Sequence, residues 1–195
     1  MTDIVDDLLE VEPGSTLADL RARRPETKGQ IQASYDALFT PVDDSEFTVA
    51  ERLLVAAFAA RLGGEDLLAG HFADRALLAD AGRAEVVLAE AAAAATTGPY
   101  GAFAEAGLQT ENTAGPVYRA NAARAALGDR LSAALEHTHL LVFRPREAAT
   151  SDLDALVDAG WSIDGIVTLS QLVSYLAFQQ RVVAGLRVLA GQAQA

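Results

Sequence analysis

The 195-residue chain contains no cysteine. Without a thiol it can form no disulfide, bind no metal through a thiolate and use no sulfur nucleophile. Aromatic residues are also scarce, at 6% of the chain, and they are scattered without regularly spaced basic neighbours. They therefore do not form a platform on which nucleic-acid bases stack. Thiol chemistry is excluded, and the aromatic residues are interpreted mostly as core.

Basic residues are also fewer than acidic residues. The chain has 15 basic and 27 acidic residues, a formal net charge of −12, which repels phosphate backbones and anionic lipid surfaces. Its most apolar segment, residues 163–189, is too polar for a membrane span because it contains Gln171, Gln179, Gln180, Arg181 and Arg187. The beginning of the chain, MTDIVDDLLEVEP, lacks the basic and apolar regions of a signal peptide. We expect a cytoplasmic protein that binds neither nucleic acid nor membranes.

Familiar motifs of cofactor and metal chemistry are missing. There is no glycine-rich phosphate loop, no G-x-S-x-G turn and no H-E-x-x-H pair. His137 and His139 are two positions apart, so on a helix their side chains point in well-separated directions and do not bind one metal together. We expect neither a cofactor nor a metal.

What the chain does have is helical periodicity throughout, and no segment alternates as a strand would. With 51% hydrophobic residues it can bury one core, so the prediction is a compact all-α protein with a helical arm over residues 1–44 and a helical domain over 45–195. Thr48 and Glu51 form a capping-box pattern, and Gly63-Gly64 follows the apolar run. The first core helix is predicted at about 49–62.

A second core helix is predicted to start near Glu65-Asp66 and to close at Gly82, with Leu67, Leu68, His71, Phe72 and Leu78 on one side. Residues 98–116 are interpreted as a loop. Further helices are predicted over residues 84–97, 117–143 with a possible break at Gly128-Asp129, 152–158 and 162–189.

Two stretches resemble a known family. AERLLVAAFAARLGGEDLLAGHFADRAL, residues 50–77, and DAGWSIDGIVTLSQLVSYLAFQQRVVAGLRVL, residues 158–189, are similar to the carboxymuconolactone decarboxylase/alkylhydroperoxidase D-like superfamily, especially its peroxidase-related branch. The likeness spans roughly residues 45–190. It implies a helical bundle with an antiparallel core helix pair and a long C-terminal helix. It also implies self-association, from dimer to hexamer.

In the peroxidase branch the motif is a glutamate, eleven residues, then Cys-x-x-Cys-x-x-x-His. Alignment on His71 places Gly64 and Leu67 at the two cysteine positions and Arg52 at the glutamate position, with Glu51 one residue away. Neither glycine nor leucine can be oxidised reversibly, so an alkylhydroperoxidase label would be inherited from the family without support from the residues. The decarboxylase branch, which resembles the segment up to His71 more closely, implies a histidine acting as acid or base on a small carboxylated lactone.

Each candidate has two interpretations. His71 is either the acid/base group or a core histidine with satisfied hydrogen bonds. Glu51 either partners His71 or only caps its helix, and Arg52 either binds a substrate carboxylate or lies on a solvated face. Residues 179–181 line a pocket, face water or belong to a subunit interface, which we expect for part of them. The resulting hypotheses are acid/base chemistry on a small organic acid or lactone and, alternatively, a non-catalytic helical scaffold or partner subunit.

Overall fold

The computed structural model describes residues 3–193 and consists of helices and connecting turns, with no β-strand in that range. The all-α prediction is confirmed. Residues 1–2 and 194–195, at the ends of the predicted arm and domain, lie outside the described range. The α-helices are α1 Ile4–Leu8, α2 Thr16–Ala22, α3 Pro25–Phe39, α4 Val49–Gly63, α5 Asp66–Ala79, α6 Ala81–Ala94, α7 Arg124–Phe143, α8 Thr150–Asp158 and α9 Ile163–Ala193.

The boundaries of α4 follow from its end residues, as predicted. The Glu51 N–H donates to Thr48 Oγ1 at 3.2 Å, and the Thr48 N–H donates to Glu51 Oε2 at 3.1 Å, which completes the capping box. At the other end Gly64 adopts φ +77°, a left-handed conformation that costs glycine little and ends the helix. Only one residue separates Gly64 from α5, so α4 and α5 form a helical hairpin.

Helix α4 is enclosed by its neighbours. Every residue from Leu53 to Ala60 is buried, and α4 packs against α5, α6, α7 and α9. Alanines at positions 56, 57, 59 and 60 have almost no exposed surface, and their small side chains allow neighbouring helices to approach closely. The core of the molecule is therefore built around α4.

Arg130 joins one end of this core. Its Nε donates to Glu51 Oε1 at 2.9 Å, its Nη1 donates to the Gly160 carbonyl at 2.7 Å, and its guanidinium lies 4.0 Å from the ring centre of Trp161. The Trp161 Nε1–H returns a hydrogen bond of 2.9 Å to the Arg130 carbonyl. The beginnings of α4, α7 and α9 thus meet at one end of the bundle.

At the opposite end Gln180 of α9 donates from Nε2 to the carbonyls of Ala59 and Ala60, at 3.3 and 3.2 Å. A Cβ on Gly63 would overlap the Gln180 amide, so this contact depends on glycine at that position or on movement of Gln180. The beginning of α4 lies near the beginning of α9, and the end of α4 lies near Gln180, farther along α9, so the two helices run in the same direction.

The N-terminal arm covers the core of its own chain. Arg21 of α2 forms buried ion pairs with Asp3 and Asp6, and Lys28 of α3 contacts the same two carboxylates. Helices α2 and α3 pack on α9, α3 also packs on α4, and α1 packs on α5. A buried charge cluster therefore holds α1, α2 and α3 together as they lie on the domain.

Two predicted boundaries were wrong. Gly82 does not close the second core helix, because α5 ends at Ala79 and Asp80 then caps α6 through the Arg83 N–H at 3.1 Å. Residues 117–120 are not helical, and Gly128, at φ +78° and ψ 164°, interrupts α7 at the break that was predicted. Regular helix in α7 therefore begins after Gly128.

The apolar face predicted for α5 was wrong in part. Leu68 and Phe72 are fully buried, whereas Leu67 is 37% and Leu78 is 88% exposed. The buried stripe is Leu68, Phe72 and Ala76, and His71 lies at its edge, half-buried. None of the helices in residues 3–193 is both long and apolar enough to cross a membrane.

The enclosure of α4 predicts the response to larger side chains. We expect Ala57→Leu to lower the free energy of unfolding by roughly 1–3 kcal/mol, because the site has no room for extra methylenes. Ala92→Leu, at an exposed position of α6, is the matched control and changes it by less than about 0.5 kcal/mol. Urea unfolding followed by the fluorescence of Trp161, the single tryptophan, measures both. Equal effects of the two variants would contradict the enclosed packing of α4.

Candidate functional site

His71 is tied to the N-terminal arm by a hydrogen bond. Its Nε2 lies 2.8 Å from the Tyr35 hydroxyl on α3, and Arg75 Nη1 donates to that same hydroxyl. Since the hydroxyl oxygen accepts from Arg75, its own proton is free to be donated to Nε2 of a neutral His71. Arg75 also lies over the rings of Tyr35 and Phe39, 5.5 and 5.2 Å from their centres. The group therefore connects α3 and α5.

The surroundings keep His71 in its neutral form. Burial lowers its pKa from the ordinary 6.5, the charge of Arg75 lowers it further, and the charge of Asp74 acts in the opposite direction. Burial also raises the pKa of Tyr35, against the influence of Arg75. A neutral histidine whose acceptor nitrogen already faces a hydroxyl proton has one ring nitrogen left for other partners.

Glu51 and Arg52 are engaged elsewhere. Glu51 binds Thr48 and Arg130 at the beginning of α4, and no contact to His71 is among its hydrogen bonds in the described structure. Arg52 is only 5% exposed, so the interpretation that it lies on a solvated face is wrong. It donates to the carbonyls of Phe47 and Leu38 at 2.7 and 2.9 Å, so it fastens the end of α3 to the beginning of α4.

The two positions aligned with the family cysteines differ in their surroundings. Gly64 forms the left-handed end of α4 and borders a wide groove of about 1220 Å³ beside α9. Leu67 is a partly exposed residue in the first turn of α5. Neither position carries a group that reacts.

A second, narrower cavity of about 430 Å³ lies beside α7 and α8. The segment 117–119 forms a further part of its wall. Its volume falls within the range usual for small-molecule sites. Apolar and ionisable side chains share the wall, and the ionisable ones are Tyr118, Arg119, Glu136, His137, His139, Arg144, Glu147 and Asp152.

His137 is the polar group of this cavity whose hydrogen bonding is incomplete. The residue is 6% exposed, and its buried Nδ1 has no hydrogen-bond partner in the described structure. Burial lowers its pKa, and the charge of Asp152, at the beginning of α8, acts in the opposite direction. A buried nitrogen without a partner is costly, and an incompletely satisfied group of this kind marks His137 as a candidate functional residue.

His139 is the second imidazole in the wall. It is 2% exposed and lies beside the rings of Phe143 and Tyr118, with ring centres 4.9 and 5.7 Å away. Burial lowers its pKa as well, and a hydrogen bond with the backbone of Ala94 raises it. The Tyr118 hydroxyl donates to Glu90 Oε2 at 2.8 Å, so this part of the wall is already satisfied.

The two arginines of the cavity differ in availability. Arg144 Nε donates to Glu147 Oε2 at 2.6 Å. Arg119 lies 3.6 Å from Glu136, which Arg124 binds more closely at 2.8 Å, and the Arg119 side chain is 58% exposed. Arg119 is therefore the more loosely paired and more exposed of the two arginines.

The sequence did not point to this cavity. His137 and His139 were expected to point apart, yet both line it, because the cavity extends around α7. Its wall combines residues 117–119, 133–144 and 147–156, which no local pattern connects. Within residues 3–193 no cluster of three or more histidine and carboxylate side chains could hold a metal ion.

Comparison of the chain with protein-family models, curated proteins and solved structures found no match. The likeness to the carboxymuconolactone decarboxylase superfamily therefore stays a prediction carried by the two stretches quoted above.

The charges beside His71 predict opposite pKa changes in two variants. Arg75→Gln removes a cation that lowers the pKa of His71, so that pKa rises. Asp74→Asn removes an anion that raises it, so the pKa falls further below 6.5. Proton NMR titration of the imidazole resonances, assigned with His71→Gln, measures both. Shifts of the same sign would contradict the arrangement around His71.

Because all three histidines have lowered pKa values in the folded protein, we expect the free energy of unfolding to fall in mild acid. Their pKa values are lowered in the folded protein, so the unfolded chain binds more protons as the pH falls below about 6.5. The free energy of unfolding should therefore fall between pH 7 and 5, and level off once the folded-state pKa values are passed.

Urea unfolding at pH 7.5, 6.5 and 5.5 measures this loss. His137→Gln and His139→Gln should each show a smaller loss than the wild type over the same interval. A wild-type stability that is flat between pH 7.5 and 5.5 would show that the histidines are not held neutral.

Proposed function

We propose that the protein binds a small organic acid or lactone in the cavity beside α7 and α8 and transfers a proton with His137 as the acid/base group. The observation that carries this proposal is the buried Nδ1 of His137, which lacks a partner in the described structure while its side chain lines the cavity. A histidine with a lowered pKa is neutral at pH 7, which is the form that accepts a proton.

The neighbours of His137 support this role. Asp152 is close enough for its charge to favour the protonated imidazole, and that form appears when a proton has been taken from the substrate. Its Oδ2 accepts the Ala149 N–H at 2.9 Å, so the carboxylate is held in place by the first turn of α8. The pair therefore combines a neutral base with a fixed counter-charge.

The remaining wall fits a small carboxylate. Arg119 offers a guanidinium that is 58% exposed and held only by a long contact of 3.6 Å to Glu136, and Val117, Leu140 and Leu156 offer apolar surface. A molecule with one carboxylate and a short apolar body satisfies both. The reaction class is proton transfer next to a carbonyl. The imidazole takes the proton as the C–H bond breaks, the freed electron pair forms the C=C bond of an enolate, and the carbonyl π pair moves to oxygen. The imidazolium then returns the proton to carbon as the carbonyl re-forms.

His71 is the residue to which the family resemblance assigns this chemistry. We assign it instead to the link between α3 and α5, because its Nε2 faces the Tyr35 hydroxyl and it lines neither of the two cavities described above. We therefore assign the acid/base role to His137, which lines the cavity beside α7 and α8. The proposed class of chemistry stays the same.

Proton exchange in D₂O tests the proposal. Small 3-oxo acids and γ-lactones are incubated with the protein, and loss of the signal of the protons next to the carbonyl is followed by proton NMR. We expect exchange faster than the background and a rate that rises with pH through a pKa below 6.5. His137→Gln should abolish the increment, and Arg119→Gln should raise the concentration of carboxylate needed for half the maximum rate about tenfold or more.

His71→Gln is the matched control, because it changes a histidine outside the cavity and should leave the exchange rate unchanged. Exchange that survives in His137→Gln but is lost in His71→Gln would return the role to His71. If no acid or lactone shifts the His137 resonances, the cavity does not bind this class and the non-catalytic scaffold is the better description.

A further inference from the structure

Helix α9 leaves one side uncovered along most of its length. Its exposed positions include Asp164, Val167, Gln171, Ser174, Phe178 and Arg181. Val167 is 50% and Phe178 is 46% exposed, a large exposure for apolar side chains near the middle of a helix. Arg181 contacts a carbonyl of its own helix, that of Ala177, at 2.6 Å. We call these six positions the α9 stripe.

The spacing of the stripe is that of a coiled coil. Successive members are separated by three, four, three, four and three residues, which is the alternation of a and d positions in a heptad. At 1.5 Å per residue the stripe is about 26 Å long. A helix face with this repeat is suited to packing against another helix that has the same repeat.

The stripe is complementary to itself when reversed. In an antiparallel pair, a positions of one helix face d positions of the other. One register of this kind places Asp164 opposite Arg181, Val167 opposite Phe178 and Gln171 opposite Ser174, and the two-fold axis then repeats all three pairs. Each pair is matched in character: the first joins opposite charges, the second two apolar side chains and the third two uncharged polar side chains.

Other arrangements do not match in this way. A parallel in-register pair would place Asp164 against Asp164 and Arg181 against Arg181. Moving the antiparallel register by one heptad would place Phe178 opposite Ser174 and Val188 opposite Asp164. The sequence of the stripe thus selects one direction and one register.

We propose that two copies of this chain associate through the α9 stripe as an antiparallel, two-fold symmetric dimer. The occupant of the uncovered face is a second copy because the charge pattern of the stripe is its own complement. The apolar part is small, so the dissociation constant is in the micromolar range. The dimer is independent of the ligand site beside α7 and α8, since neither α9 nor its stripe contributes to that cavity.

Charge reversal tests the pairing. Sedimentation velocity of the full chain from about 1 to 300 μM should show a wild-type dimer. Asp164→Arg and Arg181→Asp should each weaken it by roughly tenfold or more, because each brings like charges together twice. An equimolar mixture of Asp164→Arg and Arg181→Asp should recover the dimer, because the two substituted positions then face each other with opposite charges and the native Arg181 of one chain faces the native Asp164 of the other. Glu85→Arg, at an exposed position of α6, is the control and should leave the dimer unchanged.

The absence of cysteine makes crosslinking specific. A mixture of Gln171→Cys and Ser174→Cys proteins should form the mixed disulfide in preference to either homodisulfide. A wild type that is monomeric over the whole range would overturn the proposal, as would a dimer that neither charge variant weakens. Predominant homodisulfides of both Gln171→Cys and Ser174→Cys would replace the antiparallel arrangement with a parallel one.

Discussion

Because α4 is buried and apolar, each neighbouring helix must turn an apolar face toward it. Every residue of α4 from Leu53 to Ala60 is buried, so the charged residues of this helix lie only near its two ends. Two of them hold the surroundings in place: Arg52 binds free carbonyls near the end of α3, and Glu51 binds Arg130. The sequence of α4 therefore specifies an apolar interior. Its first turn also binds α3 of the arm through Arg52 and α7 through Glu51.

Much of this architecture could be predicted because its determinants are local. Thr48 with Glu51 and the glycine after Gly63 define α4, and Pro145 stops α7 after Phe143. The wrong predictions concern helix boundaries, where the same residue is compatible with either the end or the beginning of a helix. Gly82 was interpreted as a terminator, but the Asp80 cap makes it an early residue of α6. Residues 117–120 were assigned to the helix that follows them, although Val117 and Tyr118 are weak helix formers and the chain is irregular there.

The candidate site could not be predicted because its parts meet only in the folded chain. Helical periodicity alone does not distinguish His71 from His137, because both lie on apolar helices, and in the folded protein burial lowers the pKa of each. Their partners differ: Tyr35 comes from 36 positions earlier and satisfies His71, whereas His137 faces a cavity completed by α8. A buried nitrogen without a partner is a property of packing, and no spacing rule shows it.

Arg130 holds only one end of α8. The helix continues into Gly160 and Trp161, both bound to Arg130, while its first turn follows a short 3-10 helix at Pro145–Glu147. Asp152, in that first turn, lies on the side that is farther from Arg130. The position of α8, and with it the wall that Asp152 and Leu156 give to the cavity, is therefore set relative to the α4 core by the contacts of Arg130 at Gly160.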